Sequence, residues 1–414
     1  MEIIDKIIRE MESFQTRSAD EVRSRQNDRV AEIVRFHYNN TLNPTYRHIL
    51  EQAGFKNESE LPKTVEGLRT LPKMNRSIFE NGQYAEHPAV EVGLLQKVIE
   101  TSGSSGTPLR LPHTRETVSR CYGVSLARAA WLGGLDPSSN SYFVGHWVPG
   151  VKDVWTSHEA MQAFQQLVGD VALIETTHVK LPGHLNHLQQ HMPYWAASTP
   201  SFFLALAAFA VDQGVDLRQG SLRHLLLGGG TCLPENRKVL EDAYGLESIR
   251  LIYPTSESFL SATEIAGEEG YLCFGDEFVV EVVDENDQPV GVGERGRILI
   301  TCLGNRGYPG IRYMQGDAVT FLGYSSAFPG FIKIDRPERI DAGEIGEARL
   351  LITEIEGMQR SLMEGGIPTS AFQIARRRKD SKDIPVFRIE TRIEDRERIE
   401  QAVLATFMKH PVMK

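Results

Sequence analysis

SLRHLLLGGGTCLPENRKVLEDAYGLESIRLIYPTSE, residues 221–257, is the stretch of sequence that decides the fold class. Apolar runs at 222–227 and 250–253 predict two buried strands, and residues 234–244 between them predict a helix. Strand, helix and strand in this order, each of ordinary length, are typical of a parallel sheet covered by helices. The segment therefore predicts an α/β fold.

The same alternation of strands and helices continues on both sides of this segment, over residues 113–300. After residue 270 the pattern changes. The runs 278–283 and 297–302 predict two strands joined by a polar turn, which is the pattern of a β-hairpin. We therefore expect a β-rich subdomain to follow the parallel sheet.

A further change of composition near residues 336–340 predicts a domain boundary. We expect a large N-terminal α/β domain, residues 1–338, that contains mixed sheets and the β-rich subdomain. Residues 339–414 are expected to form a small C-terminal α+β domain.

Composition and charge exclude several classes of protein. The 414 residues are 41% hydrophobic and 24% charged, which is ordinary for a globular protein with a sizeable core. The formal net charge is −10. A nucleic-acid-binding protein needs a basic face, so we expect no nucleic-acid partner. The longest apolar run, 202–211, is shorter than the roughly 20 residues of a membrane helix, so we expect no membrane partner.

Four cysteines, at positions 121, 232, 273 and 302, are far apart in the sequence and form no CxxC pair. Neither a zinc site nor a disulfide framework follows from this spacing. The first 25 residues carry charges every few positions, unlike a signal peptide. We expect buried, reduced thiols in a cytoplasmic protein.

Three histidines, His184, His187 and His191, are spaced to share one face of a predicted helix. That spacing is compatible with a metal site, but no acidic or cysteine ligand is spaced with them. We favour a partly exposed polar helix face.

A loop rich in glycine and hydroxyl groups, TSGSSGT at 101–107, follows a predicted strand at 96–100. Glycines let main-chain N–H groups converge on an anion, and the hydroxyls add donors for phosphate oxygens. The GK[ST] ending of a Walker loop is absent. Composition alone leaves a phosphate-binding loop and a flexible surface loop equally open.

Two carboxylates are candidate ligand-binding residues. Glu257 closes the sequence YPTSE, directly after the strand at 250–253, and such loops are where α/β sheets bind ligands. A carboxylate there can hold a magnesium ion that bridges nucleotide phosphates. Asp317 ends the sequence RYMQGD and can take the hydroxyls of a ribose. Taken singly, each motif is better explained as an ordinary turn.

Taken together, the order and spacing of these motifs resemble the adenylate-forming superfamily, and within it the phenylacetate–CoA ligase branch. The loop at 101–107 resembles TSGTTGKP, residues 253–257 resemble YG-x-[ST]-E, and residues 312–317 resemble RY-x-TGD. Four more segments follow in the family's order: 197–201 for GTPS, 228–231 for GAEP, 275–278 for an acidic–aromatic segment, and 335–340 for GR-x-DD. The resemblance covers about residues 20–340.

This resemblance implies a nucleotide site. Its nucleotide-binding residues would be Thr101, Ser102, Gly103, Ser104, Ser105, Gly106, Thr107, Gly228, Gly229, Gly230, Tyr253, Ser256 and Asp317. The loop would hold the ATP phosphates, Tyr253 and the main chain at 228–230 would flank the adenine, and Asp317 would bind the ribose. The implied catalytic residues are Glu257, as the magnesium ligand, and Arg336, which would support the ribose or a phosphate.

The chain departs from the family's pattern inside the implied site. Thr107 stands where the family has a lysine, so one cation directed at the phosphates is missing. Gly230 and Thr231 replace a Glu-Pro pair, which reshapes the floor of the pocket. Pro254 replaces a glycine, which fixes φ and removes an N–H group.

Other departures lie toward the C-terminus. Arg339 stands near the family's hinge aspartate, and the late catalytic lysine of the family has no clear counterpart. Lys409 and Lys414 match that lysine only by their position near the end of the chain.

The resemblance implies ATP-dependent, AMP-forming activation of a small carboxylic acid through an acyl-adenylate, with transfer to coenzyme A. ATP, Mg²⁺ and coenzyme A would be the cofactors. One alternative is an adenylating enzyme that passes the acyl group to a carrier-protein thiol or to an amine. Another is a non-catalytic descendant that binds a nucleotide or an acyl ligand. A homodimer is compatible with the family, and the sequence does not identify the acid.

Overall fold

The computed structural model describes residues 2–80, 83–100, 109–143, 172–173, 181–230, 232–340, 343–345, 348–350, 352–367, 369, 371–379, 382–390 and 395–408. The 101–107 loop, Thr231, Lys409 and Lys414 therefore lie outside the described residues. Within these ranges no helix combines the length and apolar character that crossing a bilayer requires.

Helices surround a large sheet. The α-helices are α1 (Glu2–Thr16), α2 (Ala19–Tyr38), α3 (Thr45–Gln52), α4 (Ser77–Glu80), α5 (Gln83–Glu86), α6 (Arg115–Val118), α7 (Ser125–Leu132), α8 (Leu181–His191), α9 (Pro200–Asp212), α10 (Pro234–Tyr244), α11 (Ile352–Glu364) and α12 (Arg396–Met408). A π-helical segment, Ser119–Val124, joins α6 to α7. Short 3₁₀ turns are formed by Glu58–Glu60, Glu66–Thr70, Val92–Leu94 and Leu217–Gln219.

The strands are β1 (Leu95–Glu100), β2 (Arg110–Thr114), β3 (Ser141–Phe143), β4 (Ala172–Leu173), β5 (Trp195–Ser198), β6 (His224–Leu227), β7 (Ser248–Thr255), β8 (Phe259–Glu264), β9 (Tyr271–Cys273), β10 (Phe278–Val283), β11 (Arg295–Cys302), β12 (Tyr313–Tyr324), β13 (Ile332–Ile334), β14 (Glu338–Arg339), β15 (Gly343–Ile345), β16 (Ala348–Leu350), β17 (Ala371–Lys379) and β18 (Lys382–Glu390). Three pairs, β1–β2, β15–β16 and β17–β18, are separate two-stranded sheets.

The main sheet has a parallel half and an antiparallel half. Strands β4, β3, β5, β6 and β7 lie side by side and pair in parallel. From β7 onward the order is β8, β9, β13, β12, β11 and β10, and these pairs are antiparallel. The short strand β14 also pairs with β12. The α/β class with mixed sheets and a β-rich subdomain is confirmed.

The strand–helix–strand prediction for residues 221–257 is confirmed, with β7 longer at both ends than expected. Helix α10 begins with Pro234 in its first turn, where the missing N–H group costs no helical hydrogen bond. It ends at Gly245, whose φ of +68° favours glycine. Tyr244 is buried, and its hydroxyl donates to the carbonyl of Phe203 at 2.9 Å, which fixes α10 against α9.

Helix α2 begins with a capping box. The Ser18 hydroxyl accepts from the N–H of Glu21, and the Glu21 carboxylate accepts from the N–H of Ser18 at 2.8 Å. On the inner face, Val30 and Val34 are fully buried. Helix α2 therefore packs on the core through this face.

A buried arginine ties the first helix to the sheet. Arg128, in α7, has no exposed side-chain surface and lies 3.0 Å from Glu10 of α1 and 2.8 Å from Asp276. Burial raises the pKa of Asp276, while Arg128 acts in the opposite direction. Arg128 thus brings its positive charge to two carboxylates, of which Asp276 is mostly buried and Glu10 is partly exposed, and a buried ion requires such a partner.

The neighbouring carboxylate, Glu277, is also fully buried. It accepts from Arg29 of α2 at 3.0 Å and from Arg120 of the π-helical segment. Burial alone would raise the pKa of Glu277, but the two guanidinium groups outweigh burial and hold it below its ordinary value. The acidic–aromatic segment at 275–278 therefore anchors helices to the sheet.

The four cysteines are free and buried, as expected. Two of them meet in the fold although they are far apart in the sequence. The sulfur atoms of Cys121 and Cys302 lie 3.8 Å apart.

The C-terminal segment has a small core of its own. Leu362, Ile367 and Val403 are buried together, with Phe387 and Ile389 of β18 packed against them. Arg360 of this segment lies 3.7 Å from Glu235, which the sequence places in the large domain. The exact boundary between residues 338 and 339 stays a prediction.

We predict that Arg128→Met lowers the free energy of unfolding by about 3–5 kcal/mol, because it leaves a buried carboxylate without its partner. Urea unfolding followed by tryptophan fluorescence measures this. Arg218→Met is the matched control, because Arg218 pairs with Asp216 in an exposed position and should show no measurable change. Equal unfolding curves for the two variants would contradict the structural role of Arg128.

Candidate active site

The candidate site lies where the sheet changes from parallel to antiparallel pairing. The first half of β7, Ser248 to Leu251, pairs with β6, and the second half, Ile252 to Thr255, pairs with β8. The carboxyl ends of β6 and β7 open at this point. In α/β sheets the crevice beside such a switch is where ligands bind.

The glycines after β6 allow two chain segments to approach closely. A Cβ at Gly228 would lie 2.6 Å from Ile252 and 2.8 Å from Pro254, closer than real contacts allow. Gly229 has a φ of +70°, which favours glycine. The structure thus brings two sequence motifs, 228–230 and 253–257, into contact at the edge expected to flank the adenine.

Tyr253 and Asp317 are joined by a hydrogen bond, although 64 residues separate them in the sequence. The Tyr253 hydroxyl donates to Oδ2 of Asp317, which is buried in β12. Burial raises the pKa of Tyr253 well above its ordinary value, and the Asp317 carboxylate raises it further. The tyrosine therefore stays protonated and holds the carboxylate in one orientation.

Glu257 is held by two tyrosines of the β-rich subdomain. The Tyr308 hydroxyl donates to the Glu257 carbonyl at 2.7 Å, and the Tyr313 hydroxyl lies 3.5 Å from its Oε1. Burial raises the pKa of the Glu257 carboxyl above its ordinary value, although Arg339 and Arg76 act in the opposite direction. A cation bound here would favour the ionised carboxylate further.

His113 was not identified from the sequence, yet it lies beside this turn. Its buried imidazole packs edge-on against Phe259 at 4.4 Å and Tyr308 at 5.4 Å, measured between ring centroids. Burial lowers the pKa of His113 to about 3, and the main chain of Ser256 only partly offsets this. The histidine is therefore neutral and supports the turn that carries Ser256 and Glu257.

The residues on either side of the predicted phosphate loop belong to the two-stranded sheet that carries His113. Glu100 of β1 and Arg110 of β2, on either side of 101–108, are paired across a two-stranded sheet. The same strand β2 carries His113. The predicted role of residues 101–107 stays a prediction, because they lie outside the described residues.

Arg336 and Arg339 come after strand β13 in the sequence. Arg336 lies 3.2 Å from Glu338, which also pairs with Arg295. Nη1 of Arg339 lies 4.0 Å from Oδ1 of Asp317. The structure thus joins Tyr253, Asp317 and Arg339 directly, and links Arg336 to them through the short strand β14.

Glu257 matches one of the ways in which proteins bind Mg²⁺. Among the described residues, no group of three or more His, Cys, Asp or Glu side chains is placed to hold a metal. Mg²⁺ commonly binds through one or two carboxylates together with substrate phosphates. A single carboxylate that acts together with the phosphates of a bound nucleotide would match that pattern.

Helix α8 carries the three histidines that were expected to share one face. His184 is fully buried, and its Nδ1 lies 2.8 Å from the Tyr142 hydroxyl. His187 and His191 stack on each other toward the surface. The interpretation as a partly exposed polar face holds for His187 and His191 but is wrong for His184, which is buried and bonded to Tyr142 of β3.

Comparison with known proteins identifies relatives. No protein-family model matches the chain. A phenylacetate-coenzyme A ligase of Thermus thermophilus is 26% identical over 336 residues, which cover 77% of this chain and 69% of that protein. The enzyme of the same name in Escherichia coli is 23% identical over 320 residues, which cover 75% of this chain and 70% of that protein.

A solved structure extends the comparison to the fold. The 2-hydroxyisobutyryl-CoA ligase in the postadenylation state, in complex with R3-HIB-AMP, matches with a TM-score of 0.73 and 21% identity. The match covers 94% of this chain and 85% of that chain. The resemblance read from the motifs is confirmed: the chain is a homologue of the phenylacetate–CoA ligases and has the fold of the adenylate-forming acid–CoA ligases.

Proposed function

We propose that the protein activates a carboxylic acid with ATP, forms an acyl-adenylate and transfers the acyl group to coenzyme A. The observation that carries the proposal is the placement of Asp317 and Glu257. Each carboxylate is held by tyrosines at the switch point of the sheet, and each occupies its position in the family's order of motifs. The homology to acid–CoA ligases supports the same activity.

In this proposal the adenosine lies along the ends of β6 and β7. The main chain at 228–230 and the Tyr253 side chain flank the adenine. Asp317, oriented by the Tyr253 hydroxyl, accepts hydrogen bonds from the ribose hydroxyls. Ser256 lies in the turn between the nucleotide and Glu257, and Arg336 supports the ribose or phosphate from the connection between β13 and β14.

Glu257 would hold Mg²⁺, which supplies charge neutralisation to the phosphate oxygens when bound. A carboxylate oxygen of the substrate acid attacks the α-phosphorus in line. A new bond forms between this oxygen and the phosphorus, the bond to the pyrophosphate bridging oxygen breaks, and pyrophosphate leaves. The chain contributes positioning and charge stabilisation and forms no covalent bond.

The second step transfers the acyl group. The sulfur of coenzyme A attacks the acyl carbonyl, the thiol proton is lost, and AMP leaves with the oxygen it gained. A related 2-hydroxyisobutyryl-CoA ligase was solved with 2-HIB-AMP and CoA in the thioesterification state. Transfer to a carrier-protein thiol or to an amine is not favoured, since the homologues are named for coenzyme A.

We further propose that residues 339–414 form a separate domain that completes the site. The small core around Leu362 and Ile367 supports this, because it shares no members with the cores of the large domain. Lys409 and Lys414 stay candidates for the late cation. The buried, unpaired cysteines support a cytoplasmic location.

The activity is tested by pyrophosphate release from ATP across a panel of carboxylic acids, with and without coenzyme A. We expect at least one acid to stimulate release and coenzyme A to convert that acid to its thioester. ATP binding without release for every acid would instead favour the non-catalytic alternative.

We predict that Glu257→Gln reduces magnesium-dependent pyrophosphate release by about 100-fold or more, because the metal loses its charged protein ligand. The steady-state rate at saturating ATP measures this. Glu269→Gln, at an exposed position of the same subdomain, serves as the control and should keep the full rate. An unchanged rate in Glu257→Gln would remove this residue from the metal site.

We predict that Asp317→Ala weakens ATP binding by about tenfold or more, because a charge-assisted hydrogen bond to the ribose is lost. Titration calorimetry measures the dissociation constant. Asp242→Ala changes an exposed carboxylate on α10 and should leave the affinity unchanged. Equal affinities for wild type and Asp317→Ala would refute the ribose role.

We predict that deletion of residues 341–414 leaves ATP binding largely intact but stops acyl-adenylate formation. The cut leaves β14 in place, and closure of the small domain is expected to complete the site. Calorimetry reports the binding and pyrophosphate release reports the chemistry. A truncated protein that still forms the adenylate would show that this domain supplies nothing to the first step.

A further inference from the structure

Arg339 is placed beside the ribose carboxylate by main-chain pairing. In the β12–β14 ladder, Asp317 and Arg339 are direct partners, so their side chains project from the same face of the sheet. Nη1 of Arg339 lies 4.0 Å from Oδ1 of Asp317. About a third of the Arg339 side chain is exposed, so part of it is accessible to a ligand.

The same guanidinium group also acts on the second carboxylate of the site. It opposes the rise that burial causes in the pKa of Glu257 and of Tyr253. It also opposes the rise in the pKa of Tyr313, whose hydroxyl lies 3.5 Å from Glu257. Arg339 therefore lies beside the carboxylate expected to bind the ribose and acts electrostatically on the carboxylate expected to bind the metal.

The ribose of a nucleotide is bonded to its α-phosphate, so a ribose held by Asp317 would place that phosphate close to Arg339. A metal held by Glu257 would neutralise further charge on the phosphates. The sequence lacks the lysine expected at Thr107. A guanidinium group is well suited to fill that role, because its planar fork binds phosphate oxygens in pairs.

We propose that Arg339 binds the α-phosphate of the nucleotide and supplies positive charge that the chain lacks at Thr107. The inference rests on the proposed adenylate-forming function and adds to it a phosphate-binding residue at a position where this chain departs from the family's pattern. When the nucleotide binds, Arg339 leaves its 4.0 Å contact with Asp317 and binds the phosphate. Asp317 then binds the ribose hydroxyls.

The test compares AMP with adenosine, because the two ligands differ only by the α-phosphate. Titration calorimetry at constant ionic strength gives both dissociation constants for the full-length protein. We expect wild type to bind AMP more tightly than adenosine. Arg339→Met should weaken AMP binding by about tenfold or more and leave adenosine binding within about twofold. Arg339→Lys should keep part of the preference for AMP.

The matched control is Arg297→Met. Arg297 lies on the neighbouring strand β11 opposite Ala318, so it projects from the other face of the sheet from Asp317. Its side chain is exposed and carries the same charge. This variant should bind both ligands as wild type does, and adenosine binding by Arg339→Met shows that the variant is folded.

Three results would overturn the inference. If Arg339→Met weakens AMP and adenosine equally, Arg339 only orients Asp317. If neither affinity changes, Arg339 does not meet the ligand. If Arg76→Met removes the preference for AMP and Arg339→Met does not, the phosphate belongs to the other arginine that acts on Glu257. A wild-type protein that binds neither ligand would overturn the proposed function itself.

Discussion

Strand β7 is hydrogen-bonded in parallel to one neighbour along its first half and antiparallel to another along its second half. This change of partner separates the α/β half of the molecule from the β-rich half. A crevice lies at the end of β6, because β7 pairs with β8 and no longer with β6 after Leu251. The aromatic ring of Tyr253 and the carboxylate of Glu257 are carried into that crevice by the strand and the turn that follows it.

Buried charges fix helices on the sheet. Asp276 and Glu277 precede β10, and their arginine partners come from helices that the chain builds much earlier. Removing water from such groups is costly, and their mutual attraction compensates only when every partner is in place. The ion pairs therefore form only when the N-terminal helices take one arrangement on the sheet. They restrict the geometry more than they add stability.

Periodicity and motif order were enough to predict the sheet class and the strand–helix–strand unit at 221–257. They did not show that Asp317 lies inside the long strand β12, because no strand was predicted there. Periodicity is local, and so it could not show which distant side chains meet. The Tyr308 hydroxyl reaches Glu257 across 51 residues, and His113 reaches the Ser256 turn from another sheet. Strand β14 has only two residues, too few for any pattern, yet its pairing places Arg339 beside Asp317.

The contact between Gly228 and Pro254 has a consequence for how a ligand is received. The glycine has no side chain because the proline ring occupies that space, and the proline has a fixed φ and no N–H to offer. Each residue therefore restricts the conformations of the other before a ligand binds. A purine that settles on this edge meets main chain that is already ordered. The conformational entropy lost on binding is then mainly that of the ligand. Affinity at this end of the site depends on shape complementarity more than on conformational change of the protein.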